Sequence, residues 1–406
     1  MYSPLENVDA NTTWTLDELS KLKAAYLLPA VVYLGVLMII GVIGNAFVII
    51  IFYFRFSEST HRTFILVLAF YDFFACAVGA PWAITESFFA YSYMDAVSCK
   101  IFRFILYYTC IASSLTLVLI AFERHRKICT PLKQQFTVPM AKRALFIVCI
   151  VISSISASPA FIFYGNASKY TGVENITGTR CFITDFYEHE VPGWPMAFNV
   201  YLLVLAFVST LCMAVCYAMI ARQVSKMGKA NVSKRMTKNA EKSNGEMNSV
   251  CMDEESDSFH VNGKRPVSEA VSVKSTASTM SNPKNVNNAT PKSKNTFRKR
   301  TSVWANKVIR KLSTSSGKKT VRITKMLTLV TIAFVISYLP HLSLMIWSMV
   351  ITKDDKHTLP TDNEYKVLFY SFFINNLVNP FIYAAMDLKF RGELAKLVKC
   401  RFSWKR

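Results

Sequence analysis

Ionisable and amide side chains set inside long apolar runs are the first chemistry this sequence offers. Asp72 closes the run Phe64-Ile65-Leu66-Val67-Leu68-Ala69-Phe70-Tyr71, Glu123 and Arg124 follow an apolar run that ends at Phe122, and Asn375, Asn376 and Asn379 interrupt another. Such groups are costly to hold away from water, and where they are kept they usually serve function. A carboxylate with amide oxygens suits a hard cation, and a neighbouring Glu and Arg suit an ion pair. Catalysis reads poorly. The six histidines are scattered, at 61, 125, 189, 260, 341 and 357, a pattern that disfavours metal or acid–base chemistry and with it an enzyme.

The elements that must position these groups are membrane helices. Of 406 residues 52% are hydrophobic and only 18% charged, and the mean hydropathy is +0.27. A soluble domain carries about 25% charge. A crossing helix needs about 20 mostly apolar residues, and seven stretches qualify, at about 25–54, 63–90, 97–122, 141–164, 195–221, 323–351 and 365–386. Backbone groups in hydrocarbon must bond within the chain, which leaves helices or barrel strands, and these runs do not alternate. The expected fold is all-α: a seven-transmembrane-helix bundle with a short amphipathic helix after the seventh span. Residues 1–24 precede it, 25–221 hold helices one to five, 222–320 form a long basic loop, 321–386 hold helices six and seven, and 387–406 carry the amphipathic helix and tail. The loop is rich in Ser, Thr, Asn and Lys and poor in aromatics, which predicts a disordered middle between basic helical extensions. No internal repeat relates the two halves, which disfavours a transporter built from repeats.

Charge predicts the orientation. Segments 1–25, 86–100, 165–191 and 352–364 sum to −7, whereas 55–62, 123–143, 222–320 and 387–406 sum to +25. Lys and Arg accumulate on the cytoplasmic side, so the amino terminus is expected outside a plasma membrane and the carboxyl terminus inside. The net charge of +21 is then a matter of topology and lipid contact, with no nucleic acid needed. Sequons at Asn11, Asn166 and Asn175 fall outside, where glycan can be added. Most of the ten cysteines lie in apolar runs as small buried hydrophobes. Cys99 and Cys181 lie at or beyond the outer helix ends, in an oxidising compartment, and form the natural disulfide pair. Cys400 lies in a basic inner stretch, where palmitoylation and an idle thiol are both open readings. Pro81, Pro340 and Pro380 sit inside helices and are expected to kink them.

The order of these residues resembles the rhodopsin-like family of G-protein-coupled receptors. Gly44-Asn45 stands in helix one, Leu68-Ala69 and Asp72 in helix two, and Glu123-Arg124-His125 in helix three, its Arg 25 positions after Cys99. Helix six carries Phe334, Ser337-Tyr338 and Pro340, and helix seven carries Asn375, Asn376 and Asn379-Pro380-Phe381-Ile382-Tyr383. The chain departs from the family pattern where helix six usually reads Cys-Trp-x-Pro, where helix four lacks its Trp, and at Ser209, where helix five usually has Pro.

The resemblance implies a receptor that activates heterotrimeric G proteins by outward movement of helix six and is switched off by arrestin. It implies a sodium site at Asp72, Ser113, Asn375 and Asn379; a neutral Asp72 hydrogen-bonded to Asn45 and Asn379 is the alternative. Arg124 would pair with Glu123 at rest and then meet the G protein, with Tyr217 and Tyr383 closing on it and Leu132 as an apolar knob, although a membrane-facing leucine is an equally plain reading. The acid that often joins this lock from helix six is Thr320 here. Leu106 stands where amine receptors need Asp, and Phe373 where opsins need Lys, so monoamines are disfavoured and retinal excluded. The pocket wall would include Trp82, Glu86, Arg103 and Tyr107. From helices six and seven come His341, Met345, Tyr365 and Phe369. The acids Asp185, Glu188 and Glu190 give the outer surface a field that attracts cations. A basic neuropeptide is the leading ligand on that ground; the plainer reading is that the acids only solvate the loop, and a small molecule or lipid is the alternative class. The tail has Ser403 as its sole hydroxyl residue after Tyr383, whereas Ser302 and Ser313 follow basic runs in the long loop and suit basophilic kinases.

Overall fold

Polar residues that cap helix ends divide the apolar runs into elements. The computed structural model describes residues 14–171, 173, 176–250, 315–350 and 362–399. Asn11, Asn175, Ser302, Ser313 and Cys400 lie outside the described residues. The chain divides into two units, residues 1–223 with 315–406, and residues 224–314. The first unit is a helix bundle.

In chain order the helices are α1 (Leu16–Tyr26), α2 (Leu28–Arg55), α3 (Thr60–Phe74), α4 (Ala80–Phe88), α5 (Ala96–Cys129), α6 (Val138–Leu145) and α7 (Ser153–Phe163). A strand pair follows, β1 (Tyr164–Tyr170) and β2 (Thr177–Ile183), then α8 (Gly193–Val250), α9 (Ser315–Val350), α10 (Asp362–Phe369), α11 (Phe373–Met386) and α12 (Leu388–Val398). Ser59, Asp95 and Thr137 cap α3, α5 and α6 by accepting a backbone N–H of the first turn, which satisfies donors the helix leaves unpaired. Asp387 accepts from the N–H groups of both Lys389 and Phe390, so α12 begins at once where α11 stops.

α3 with α4 makes one span and α6 with α7 another, each joined through a turn of wider π-helix, at Ala75–Gly79 and Phe146–Ile152. Pro81 explains the first: its ring would strike the carbonyl of Ala77, four residues back, unless the turn widens. Six spans are long and apolar enough to cross a membrane, and α10 with α11 supplies a seventh bent by 48°. At the bend, Phe373, Ile374 and Asn375 donate backbone N–H bonds three residues back, and Ser371 Oγ donates to the Ser337 carbonyl of α9 at 2.9 Å. Gly44 lets α2 approach α11, since a Cβ there would lie 2.9 Å from Pro380 Cγ.

Two features stand beyond the seven expected spans. One is α1, started by a capping box in which Thr15 Oγ1 accepts from Glu18 N–H while the Glu18 carboxylate accepts from Thr15 N–H. The other is the antiparallel β1–β2 hairpin, in register from Tyr164↔Ile183 to Tyr170↔Thr177.

Among the described residues the core has two large parts and a small one around Leu19 and Tyr91. Phe52, Phe64, Leu68, Leu117, Tyr383 and Phe390 fill the end that holds Arg124. Trp82, Leu106, Phe163 and Phe373 fill the end that holds the disulfide. Val32, Ile43, Phe70, Ile155, Phe207 and Ile336 are exposed on the outside, an apolar surface that water would not tolerate over such an area. Only 17% of the α8 span and 28% of the α9 span is buried, against 56% for α3 with α4. α8 and α9 are therefore the most loosely held spans.

Candidate functional site: a buried polar column

At one end, α5 and β2 are joined by the Cys99–Cys181 disulfide, with Cα atoms 5.5 Å apart. The hairpin is held further by Thr179, whose N–H donates to the Tyr91 carbonyl and whose carbonyl accepts from Tyr93 N–H. Beneath it Arg103 reaches Glu86 at 2.7 Å, donates to the Cys181 carbonyl at 3.2 Å, and lies over the rings of Trp82 and Tyr164. Tyr370 Oη donates to the second Glu86 oxygen at 3.4 Å, and the Tyr107 and Tyr164 hydroxyls meet at 2.8 Å.

The expected pocket residues separate into groups. Leu106, Tyr107, His341, Met345 and Phe369 line one cavity of about 540 Å³, floored by Phe334 and Tyr338 and reaching Leu202 and Phe207 of α8. Trp82 lines a second cavity, of about 770 Å³, with Pro81, Thr85 and Phe102. Glu86 and Arg103 form the ion pair, and Tyr365 stacks on Phe369. Tyr338 occupies the place of the missing Trp, its ring 4.4 Å from that of Phe334 and its hydroxyl near Cys110.

In the middle, Asp72 is fully buried. Asn379 Nδ2 donates to its Oδ2 at 2.6 Å, and Ser113 of α5 stands near the same carboxylate. Asn45 does not reach it, donating instead to the carbonyls of Asn376 and Gly41. The Oδ1 atoms of Asp72, Asn375 and Asn379 are buried and find no donor among the described residues. Oxygens left without donors are the ligand set of a hard cation, so these residues fit sodium.

At the far end of α5, Arg124 Nε lies 2.5 Å from Glu123 Oε2, in an ion pair too poorly aligned to satisfy either atom as a hydrogen bond. The other Glu123 oxygen accepts from Thr60 Oγ1 at 3.0 Å and Lys127 Nζ at 3.1 Å. Arg124 is 1% exposed, and its Nη2 finds no acceptor among the described residues. Tyr217 Oη donates to the Leu327 carbonyl at 3.4 Å and accepts from Thr331 Oγ1 at 3.2 Å. Tyr383 is buried between Phe52 and Phe390, its hydroxyl unpaired among the described residues. Leu132 is exposed. Arg322 of α9 donates through Nε and Nη2 to the Met386 carbonyl at 3.0 and 2.8 Å, tying the base of α9 to the end of α11.

Sequence reasoning missed Arg322, the tyrosines Tyr164 and Tyr370, and the basic residues Lys23, Lys169, Arg180 and Lys366. Lys366 had a signal, as a cation just inside the last apolar run. Lys23 forms an ion pair with Asp362, and Asn363 Nδ2 donates to the Tyr26 carbonyl at 2.6 Å, so α1 is clasped to α10. Burial pushes the Lys23 ammonium down to about 8, and Lys366 nearby adds to the effect. The acids expected to colour the surface are partly engaged. Asp185 accepts from Ser168 Oγ and Ser168 N–H, bonds that hold its carboxyl below the usual range.

A family described as 7 transmembrane receptor (rhodopsin family) matches residues 44–383. The chain is 24% identical over 373 residues to the thyrotropin-releasing hormone receptor of Mus musculus, covering 89% of this chain and 77% of that receptor. It is 22% identical over 370 residues to the cholecystokinin receptor type A of Cavia porcellus, covering 90% and 80%. It is also 28% identical over 202 residues to the neuropeptide Y receptor type 4 of Rattus norvegicus, covering 47% and 52%. Among solved structures, squid rhodopsin superposes with a TM-score of 0.58 at 17% identity, over 94% of this chain and 88% of that one, a likeness of fold.

Proposed function

This chain belongs to the rhodopsin family of seven-transmembrane receptors, and from that premise we propose that it binds a peptide at its disulfide end and activates a heterotrimeric G protein at its Arg124 end. The observation that carries the reading is the polar column inside an otherwise apolar bundle. Glu86–Arg103, Asp72–Asn379 and Glu123–Arg124 follow one another along α3, α4, α5 and α11, all buried or nearly so. Buried ionic groups are a poor source of stability, whereas a column of them that can be re-paired couples two ends. The peptide class is supported by relatives whose names are those of peptide receptors.

In this reading the disulfide end faces outward at the plasma membrane and the basic segments face the cytoplasm. Sodium held by Asp72, Ser113, Asn375 and Asn379 stabilises the resting arrangement. Activation swings α9 outward, the span that burial leaves most free apart from α8, and breaks the Arg322–Met386 tie. Arg124 leaves Glu123, Tyr217 and Tyr383 approach it, and Leu132 meets the G protein. Pro340 and Pro380 lend α9 and α11 the two packings that a switch needs. A lipid or small-molecule ligand is the second reading, favoured by the apolar cavity that reaches α8. The test is G-protein dissociation in cells expressing the tagged receptor, challenged with peptide and lipid collections. Arg124→Ala should reach the surface and bind the activating ligand yet lose at least about tenfold in coupling, the weight of one charge-assisted contact. Full coupling by that variant, or activation by lipids alone, overturns the peptide-to-G-protein reading.

A further inference from the structure

The mouth of the bundle carries more cation than its own carboxylates match. Lys23 of α1, Arg103 of α5, Lys169 of β1, Arg180 of β2 and Lys366 of α10 lie near enough to feel one another's charge. Arg103 has Glu86 and Lys23 has Asp362. Among the described residues Arg180 has only Glu188 as an ion-pair partner, at 3.9 Å. Lys169 and Lys366 have no carboxylate partner among the described residues: Lys366 Nζ donates to Ser87 Oγ at 2.7 Å, and Lys169 Nζ lies 4.9 Å over the Tyr91 ring.

Register and burial concentrate these charges. Lys169 faces Gly178 and Arg180 faces Ala167 across the hairpin, so alternation puts both side chains on one face. The Nε atoms of Arg180 and Arg103 are buried and find no acceptor among the described residues. Unpaired donors of charged groups carry a full desolvation penalty, which an incoming oxyanion would remove.

Resting on the peptide-receptor reading above, we propose that this cluster seats an acidic side chain of the peptide ligand, a carboxylate or a sulfate, held by Lys169, Arg180 and Lys366. The ammonium of half-buried Lys169 is held down to about 7, by burial first and then by Lys23, Arg180 and Lys366, with Glu86 opposing. An anion beside it restores the charge. Glu188 is the carboxylate that reaches this seat, 3.9 Å from Arg180, too far for a direct hydrogen bond to compete with an incoming oxyanion. The seat thus sets the sign of one position of the ligand and leaves its net charge open.

The probe is a collection of amidated peptides in matched pairs, each acidic member accompanied by its Asn or Gln twin, assayed for G-protein dissociation with surface expression measured in parallel. The activating member should be acidic, and its neutral twin should be roughly ten- to hundredfold weaker, the weight of a charge-assisted contact. In Lys366→Gln and Lys169→Gln the acidic and neutral members should become nearly equal, while Lys366→Arg keeps the difference and shows that charge is what is read. An activating pair of equal potency, or a difference that survives both Gln variants at normal surface expression, overturns this inference and leaves the peptide receptor standing. Silence of the whole collection at a receptor present on the surface overturns the peptide reading, and this inference with it.

Discussion

In the proposed mechanism Asp72 is the residue that holds two states of the receptor apart. Its Oδ2 is taken by Asn379 and its Oδ1 has no donor among the described residues, and the Oδ1 atoms of Asn375 and Asn379 are likewise buried and unpaired among them. If that oxygen set holds sodium, raising sodium should lower agonist affinity by a coupling of about 5- to 150-fold, and Asp72→Asn should abolish the shift. Radioligand displacement at low and high sodium decides it; displacement curves insensitive to sodium in both proteins leave the neutral, hydrogen-bonded Asp72. This residue and Arg124 were legible in the sequence because a charge inside an apolar run has few places to go. Lys366 stood at the edge of such a run, where a long side chain can reach water, and its bond to Ser87 of α4 emerged only from the fold. Lys169 and Arg180 gave no signal, since what brings them together is the pairing of two polar strands.

At the scale of elements, the hairpin depends on one covalent bond and a few backbone bonds. The Cys99–Cys181 bond closes a sequence separation of 82 residues, and losing a disulfide of this kind costs about 2–5 kcal/mol. Cys99→Ala and Cys181→Ala should each strongly reduce surface expression or binding, and the double variant should be no worse than either alone. Additive losses would separate the two cysteines. The apolar spans were readable from length and hydropathy, because hydrocarbon allows the backbone so little else. The hairpin was not: residues 164–183 show no clean alternation of polar and apolar side chains, and their strand geometry follows from the anchoring at Cys181 and Thr179. α1 lay within reach, since Thr15 and Glu18 have the spacing of a capping box, but hydropathy does not register so polar a helix. The bend between α10 and α11 had no signal beyond Pro380, ten residues further on.

At the scale of the molecule, charge is sorted by side, with +14 in residues 222–320 alone. We propose that regulation falls on this basic segment, since the tail offers one hydroxyl residue after Tyr383, namely Ser403. Phosphate adds nearly two negative charges at each site, which weakens the attraction of a basic loop to anionic lipid. Deleting residues 240–295 should preserve G-protein signalling and slow arrestin recruitment, measured by proximity between receptor and arrestin. Normal recruitment in the deletion, lost instead in Ser403→Ala, places the control in the tail. The uneven charge and the length of the basic segment are read from composition alone, and the side of the membrane that the segment faces belongs to the proposal, argued from summed charge.

The clasp of α1 on α10 bears on time as well as affinity. α1 packs Leu19 against Tyr91 beside Val173 and Ile176, and holds α10 through Lys23–Asp362 and the Asn363–Tyr26 bond. One side of the mouth is therefore bordered by an element with its own small core, and a bulky ligand entering on that side would have to displace it on the way in and again on the way out. Association by that route would fall below the roughly 10⁵–10⁷ M⁻¹s⁻¹ of an open docking surface, and dissociation would slow with it. A receptor working in this way would report the recent history of its ligand, staying occupied after a pulse has passed.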